Sequence, residues 1–346
     1  MSTVATNPTP APFTAKDLVT DQDVRWCPGC GDYSILKQVH TVLPQLGIPR
    51  ENIVVVSGIG CSSRFPYYTN TFGMHSIHGR ATAIASGLKA ARPDLSVWIV
   101  TGDGDGLSIG GNHMIHLLRR NFDVNVLLFN NEIYGLTKGQ YSPTSPLGKV
   151  AKSTPMGSVD HPFNPAALAL GADATFVARS MDRDPAHLQE ILIRANRHKG
   201  TSFTEIYQNC NIFNDGAFEV FTEKATKKEN DLFVKNGQPL VFGESDNKGI
   251  KLDGFTPIVV DLNDGHSKDD LWIHNEHDIY KAQILVRIFD DPHREGHMPR
   301  PFGVFYENPN RATYEDMMNA QLEAALAKGE GDLDKLLKGN ETWEIK

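Results

Sequence analysis

The sequence predicts an α/β fold: a mainly parallel sheet with helices on both faces, followed by a C-terminal extension. Three observations predict it. Short β-branched runs without polar alternation recur between helix-like stretches, as expected of strands covered on both sides. These runs end in turns rich in Gly, Asp or Asn, where open α/β sheets hold their ligands. After about Phe213, charged residues become dense and strand signals fade. A chain of 346 residues accommodates one large domain with such an extension.

Residues 1–20 are rich in Thr, Pro and Ala and lack the basic start and apolar core of a signal peptide, so a disordered arm is expected there. Residues 21–213 are expected to form the main domain. Ile35, Leu36, Val39, Val42 and Leu43 recur at helical spacing and predict a helix over 32–46, stopped by Pro49. A strand over 53–56 leads into Ser57-Gly58-Ile59-Gly60-Cys61-Ser62-Ser63, a turn suited to close backbone approach. The Ala- and Gly-rich stretch 81–91 predicts a helix packed tightly on a neighbour or cofactor. A strand over 96–100 runs into Thr101-Gly102-Asp103-Gly104-Asp105, a helix follows over 108–120, and a strand over 124–129 ends at Asn130-Asn131. The pattern resumes with a helix over 165–170, a strand over 175–178, a helix over 185–197 and a strand over 202–206, with Cys210 just beyond. Residues 214–346 read as an extension that wraps the core or meets a partner, with a helix over 313–327. There is no internal repeat.

The net charge of −8 argues against nucleic-acid binding. No apolar run approaches the roughly 18–20 residues that span a membrane, so no membrane association is expected and a cytoplasmic location is. In that compartment Cys27, Cys30, Cys61 and Cys210 read as metal ligands or redox groups rather than disulfides. The 13 histidines are scattered, and those without a motif read as surface or core residues.

Gly102-Asp103-Gly104 after one strand and Asn130-Asn131 after the next fit a thiamine diphosphate site. A divalent cation such as Mg²⁺ takes hard oxygen ligands and bridges diphosphate to protein. Asp103 would supply a carboxylate, Asn131 an amide oxygen and Ile133 a backbone carbonyl, while Gly102 and Gly104 let the backbone approach the phosphates. The competing reading is a bare glycine turn or a dinucleotide site, but position 107 is Leu where a dinucleotide motif needs Gly. Cys27-Pro28-Gly29-Cys30 aims two sulfurs one way, and Cys61 and Cys210 each follow a strand. Four thiolates suit an iron–sulfur cluster or Zn²⁺. One local pair plus two remote single cysteines favours the cluster, whereas structural zinc more often uses two local pairs. A thioredoxin-like dithiol and inert cysteines stay open, as does a zinc-stabilised scaffold without catalysis.

Trp26-Cys27-Pro28-Gly29-Cys30-Gly31-Asp32-Tyr33, Gly58-Ile59-Gly60-Cys61-Ser62-Ser63-Arg64, Ser76-Ile77-His78-Gly79-Arg80, Gly102-Asp103-Gly104-Asp105 and Tyr134-Gly135-Leu136-Thr137-Lys138-Gly139-Gln140 together resemble the β subunit of 2-oxoacid:ferredoxin oxidoreductases, most of all the 2-oxoglutarate type. The match covers about residues 20 to 215. The resemblance implies a thiamine diphosphate-binding fold of the diphosphate-binding type. It implies a cofactor surface of Ile59, Gly60, Cys61, Ser62, His78, Gly104, Asp105, Gly135 and Leu136, and one 4Fe–4S cluster on the four cysteines. It places the glutamate that activates thiamine on an α subunit, so this chain would be half of an active site in an α/β heterodimer or a pair of them. Glu132 lies in the metal loop and reads as structural. The implied reaction converts a 2-oxo acid and coenzyme A to acyl-CoA and carbon dioxide, reversibly, passing two electrons singly to ferredoxin. Arg64 and Lys138 are the expected donors to the distal carboxylate of 2-oxoglutarate, and Leu136 would shape the pocket. Pyruvate or another 2-oxo acid is the alternative substrate.

Overall fold

A computed structural model describes residues 12–289 and 296–345. Eleven strands are present among them: β1 (Ile53–Ser57), β2 (Phe72–His75), β3 (Ser96–Gly102), β4 (Val124–Asn130), β5 (Phe176–Met181), β6 (Ser202–Tyr207), β7 (Asp231–Phe233), β8 (Val241–Phe242), β9 (Lys248–Asp253), β10 (Thr256–Asp261) and β11 (Arg300–Glu307). One eight-stranded sheet runs β2-β1-β3-β4-β6-β5-β11-β7, and β8 to β10 form a separate antiparallel meander. The first six strands of the large sheet are mutually parallel; β11 alone runs antiparallel to its neighbour β5.

The alternation of side chains along a strand explains the two cores. Val54 and Val56 of β1 join Val97, Ile99, Val126 and Leu128 on one face. That face is covered by the helices Ala81–Ala91, Gly111–Arg120 and Pro165–Gly171. Ile53 and Val55 join Val100, Leu127 and Phe129 on the other, under Asp32–Val42 and Pro185–Arg197. Because both faces are covered, every residue of β1, β4, β5 and β6 is buried.

The predicted elements of residues 21–213 are present with three differences. The helix read over 32–46 is α-helical only to Val42 and tightens to a 3₁₀ turn at Pro44. The helix read over 108–120 starts at Gly111, because a separate helical turn, Asp103–Leu107, winds directly off β3. β2 carries no buried residue, so its sequence lacks the apolar run by which buried strands are recognised. The arm expected over 1–20 packs on the core through Phe13 and Leu18: Leu18 is fully buried, and its carbonyl accepts from the Asn70 amide at 2.8 Å. Residues 1–11 lie outside the described residues.

The extension is not a separate wrapping. Its strands β7 and β11 complete the large sheet, and its helix Ile279–Leu285 enters the main core. Gly303 hides β11 in the sequence. Its φ is +125°, and a Cβ there would sit 2.7 Å from the Val234 carbonyl oxygen. The helix expected over 313–327 spans Tyr314–Leu326, with Tyr314 against Phe122, and a short helix, Leu333–Lys338, follows it.

At the start of β7, Asp231 has a buried carboxylate oxygen with no hydrogen-bond partner among the described residues. Burial pushes its pKa up to about 8, against an ordinary value of 3.8. The folded chain therefore binds a proton that the unfolded chain has released, so this group's contribution to stability falls as pH rises between about 4 and 8. Asp231→Asn stays neutral throughout, and its melting temperature is expected to drop less than the parent's between the two ends of that window, by ~2–4 °C.

Candidate functional site

The carboxyl ends of β1, β3, β4 and β6 lie side by side, so four loops meet at one edge of the sheet. Asp103 begins the turn after β3 and is 2% exposed. Burial pushes its carboxyl up to about 6, although hydrogen bonds from Ser142 and Thr144 pull the other way. The Thr144 hydroxyl lies 2.6 Å from Asp103 Oδ2 and 2.9 Å from Asn130 Oδ1. The Asn130 amide donates to Glu205, which is paired in the core with Arg179 at 2.8 Å. Asn131 Oδ1 accepts from the Ile133 amide at 3.2 Å, closing the loop on itself. Gly104 is required, because a Cβ there would come within 2.3 Å of the Tyr134 ring, whose hydroxyl donates to the Gly104 carbonyl.

Asp105 ties the neighbouring loops together. Its Oδ1 accepts from the Gly79 amide at 2.7 Å and lies 2.7 Å from His78 Nδ1, and its Oδ2 accepts from the Thr101 hydroxyl at 2.7 Å. Gly58 leaves room for that carboxylate; a Cβ there would stand 1.8 Å from Asp105 Oδ2. Ser62 is buried beneath Gly102. Thr144 and Glu205 carry no motif and were not legible as site residues. If this turn holds the cation and diphosphate read from the sequence, Thr144→Val, which releases Asp103 and Asn130, is expected to lower affinity for them about 10-fold by calorimetry.

The four cysteines converge from three loops. The Cys30 amide donates to the Cys27 carbonyl at 3.0 Å, and Gly29 takes φ +85° to close that turn. The Gly31 amide reaches the Asn209 carbonyl at 3.1 Å and the Asn211 side chain reaches the Pro28 carbonyl at 2.7 Å, which pins the turn to the Cys210 loop. Trp26 Nε1 donates to the Cys61 carbonyl at 2.7 Å. A Cβ on Gly135 would lie 3.5 Å from the Cys210 sulfur and 3.6 Å from the Cys61 sulfur, so the absent side chain leaves a cradle beside them. All four thiols are free. Burial pushes the Cys61 thiol up to about 12, with Asp32 adding to it, and pushes Cys30 higher still. A nucleophilic dithiol needs the opposite shift. No group of three or more His, Cys, Asp or Glu among the described residues is spaced to close on a single metal ion.

A cavity of about 610 Å³ opens beside this edge, lined by Ile59, Gly60, Arg64, Leu136, Tyr67 and His75 among others. Arg64 makes no ion pair among the described residues. His75 Nδ1 lies 2.9 Å from the Ser63 carbonyl, which can only accept, so that nitrogen carries the proton. His78 instead lines a shallower recess with Ser108 and Tyr134. Lys138 lines neither; it closes the Gly135–Lys138 turn with φ +77°. A larger cavity, about 1090 Å³, lies behind Asn130 and Glu132. Glu132 faces that cavity, and burial pushes its carboxyl up to about 8.

Residues 58–206 match the thiamine pyrophosphate enzyme, C-terminal TPP-binding domain. Over 342 residues the chain is 51% identical to the 2-oxoglutarate oxidoreductase subunit KorB of Mycobacterium tuberculosis, covering 97% of this chain and 90% of the relative. It is 39% identical to 2-oxoacid:ferredoxin oxidoreductase 1, subunit beta, of Aeropyrum pernix, covering 85% of this chain and 80% of that one. The fold is similar to the solved 2-oxoglutarate:ferredoxin oxidoreductase from Magnetococcus marinus with 2-oxoglutarate, coenzyme A and succinyl-CoA bound. The TM-score is 0.73 at 32% identity, covering 97% of this chain and 98% of the other.

Proposed function

The chain belongs to the family of 2-oxoacid:ferredoxin oxidoreductase β subunits, and on that premise we propose that it works with an α subunit to convert 2-oxoglutarate and coenzyme A to succinyl-CoA and carbon dioxide, using thiamine diphosphate, Mg²⁺ and one 4Fe–4S cluster. One observation carries the redox part. Gly135 faces the Cys61 and Cys210 sulfurs, and Leu136, the next residue, lines the cavity with Ile59 and Gly60. An electron carrier held by those thiols would stand directly against the reaction space. Thiamine diphosphate, when bound, supplies the electron sink for loss of carbon dioxide, and the cluster supplies one-electron transfer.

This chain's residues bind and orient. Asp103, Asn131 and the Ile133 carbonyl would hold Mg²⁺, whose charge offsets the burial of the Asp103 carboxylate. Ile59, Gly60, Ser62, His78, Gly104 and Asp105 would form the cofactor wall. Cys27, Cys30, Cys61 and Cys210 would hold the cluster. One local pair and two single remote cysteines favour a cluster over structural zinc, which more often uses two local pairs. Arg64, which lines the cavity, is the donor for the distal carboxylate, with Lys138 as a second candidate outside the lining. Glu132 lines the 1090 Å³ cavity and not the 610 Å³ one, which supports an activating glutamate on the α subunit. Ferredoxin is the acceptor. Four free thiols fit a reducing cytoplasm, and no helix among the described residues is long and apolar enough to cross a membrane.

Anaerobic purification with the co-expressed α subunit tests this. About four irons per β chain, a reduced-cluster paramagnetic signal and coenzyme A-dependent ferredoxin reduction by 2-oxoglutarate are expected. Zinc or no metal in a folded, thiamine-binding complex removes the redox reading, and preference for pyruvate removes the substrate.

A further inference from the structure

Gln208 stands one residue past β6 and is 1% exposed. Its amide is bonded at both ends. Oε1 accepts from Asn131 Nδ2 at 2.8 Å, and Nε2 donates to the Cys30 sulfur at 3.3 Å as well as to the Asn209 carbonyl at 2.5 Å. The Gln208 backbone amide donates to the Asn130 carbonyl at 2.9 Å, which fixes the register of the side chain against the Asn130-Asn131 loop. A single buried amide thus spans the loop expected to hold Mg²⁺ and a thiol expected to hold the cluster. Nothing in the sequence marks it, because a glutamine after a strand belongs to no motif.

We propose that Gln208 couples occupancy of the metal loop to the reduction potential of the cluster, a positioning role that rests on the cofactor reading above. An N–H bonded to a ligand sulfur stabilises the more electron-rich, reduced cluster and raises its potential. A cation on Asn131 Oδ1 draws electrons from that amide and makes Nδ2–H a stronger donor to Gln208 Oε1. The Gln208 amide is polarised in turn, and its Nε2–H becomes a stronger donor to Cys30, since hydrogen bonds in a chain reinforce one another. Loading the thiamine site would then make the cluster a better electron acceptor. The coupling is reciprocal: reducing the cluster tightens binding at the metal loop by the same factor.

The test compares the α/β complex with its Gln208→Met and Gln208→Glu variants. Methionine keeps the length and removes both bonds; glutamate keeps an acceptor for Asn131 and removes the donor to Cys30. The cluster midpoint is read by paramagnetic resonance with and without thiamine diphosphate and Mg²⁺. Cofactor affinity is read by calorimetry in oxidised and dithionite-reduced protein. The expected wild-type result is a higher midpoint on loading and affinity about fivefold or more tighter after reduction; a tenfold change would equal a rise of about 59 mV. Both variants are expected to show a lower midpoint and less than about a twofold response. An iron-containing wild type with no loading response, or variants that respond as the wild type does, would overturn the coupling and leave the cofactor reading intact. A complex without iron would overturn both.

Discussion

Cys210→Ser is expected to bring the iron content of the α/β complex from about four atoms per β chain to below one and to lower ferredoxin reduction by more than about 100-fold, beyond the range for losing an outer-shell partner. The backbone around Cys210 does not depend on its sulfur. The Asn214 amide donates to the Cys210 carbonyl at 2.9 Å, and the Asn214 side chain donates to the Asn131 carbonyl at 2.9 Å. The variant should therefore fold and still bind thiamine diphosphate. Elemental analysis, a reductase assay and calorimetry on one preparation separate the outcomes. Full iron content in the variant would remove Cys210 from the cluster, and loss of thiamine binding together with iron would indicate a folding defect.

Asp103→Asn is expected to weaken Mg²⁺-dependent thiamine diphosphate binding by more than about 100-fold. Asn keeps the shape and the contact with Thr144 but removes the only negative charge that the β3 turn places at this position, since the next carboxylate, Asp105, is committed to His78, Gly79 and Thr101. The pH dependence has a definite sign. The empty site's carboxyl is held up to about 6, so protons compete with the cation below that value. Wild-type affinity should fall by about tenfold per pH unit below 6, beyond any change shared with the variant, which has no proton to lose there. Titrations at pH 5, 6 and 7 on both proteins check this; parallel curves would show that another group sets the pH dependence.

Local chemistry was legible where the residue type carries the role. Asp103, the glycines and the four cysteines announce themselves because few residues bind a hard cation, permit close approach or supply a thiolate. The cores on either face were legible because β1 and β4 are mostly apolar, with polar residues only at Ser57, Asn125 and Asn130. The residues that hold those groups in place were not. Thr144 and Gln208 are ordinary polar residues made important by burial and by several partners each, and partners from remote loops leave no spacing to read. Lys138 shows the converse. It follows the motif, yet it is not among the residues that line the cavity with Arg64 and Leu136. β2 and β11 were missed for opposite reasons, one because it is exposed and the other because glycine and a bulge break its pattern.

The pairing of β11 with β5 also has a consequence for synthesis of the chain. Every loop of the candidate site has left the ribosome soon after Cys210, but the strand that seals β5 is not made until Glu307. During that interval β5 presents a bare row of backbone donors and acceptors to the cell. A message interrupted between those points would yield a product with all four cysteines, the Asp103 and Asn131 loops and an open sheet edge. Such fragments are expected in inclusion bodies or degraded, so the last third of the gene cannot be trimmed to obtain a smaller working subunit.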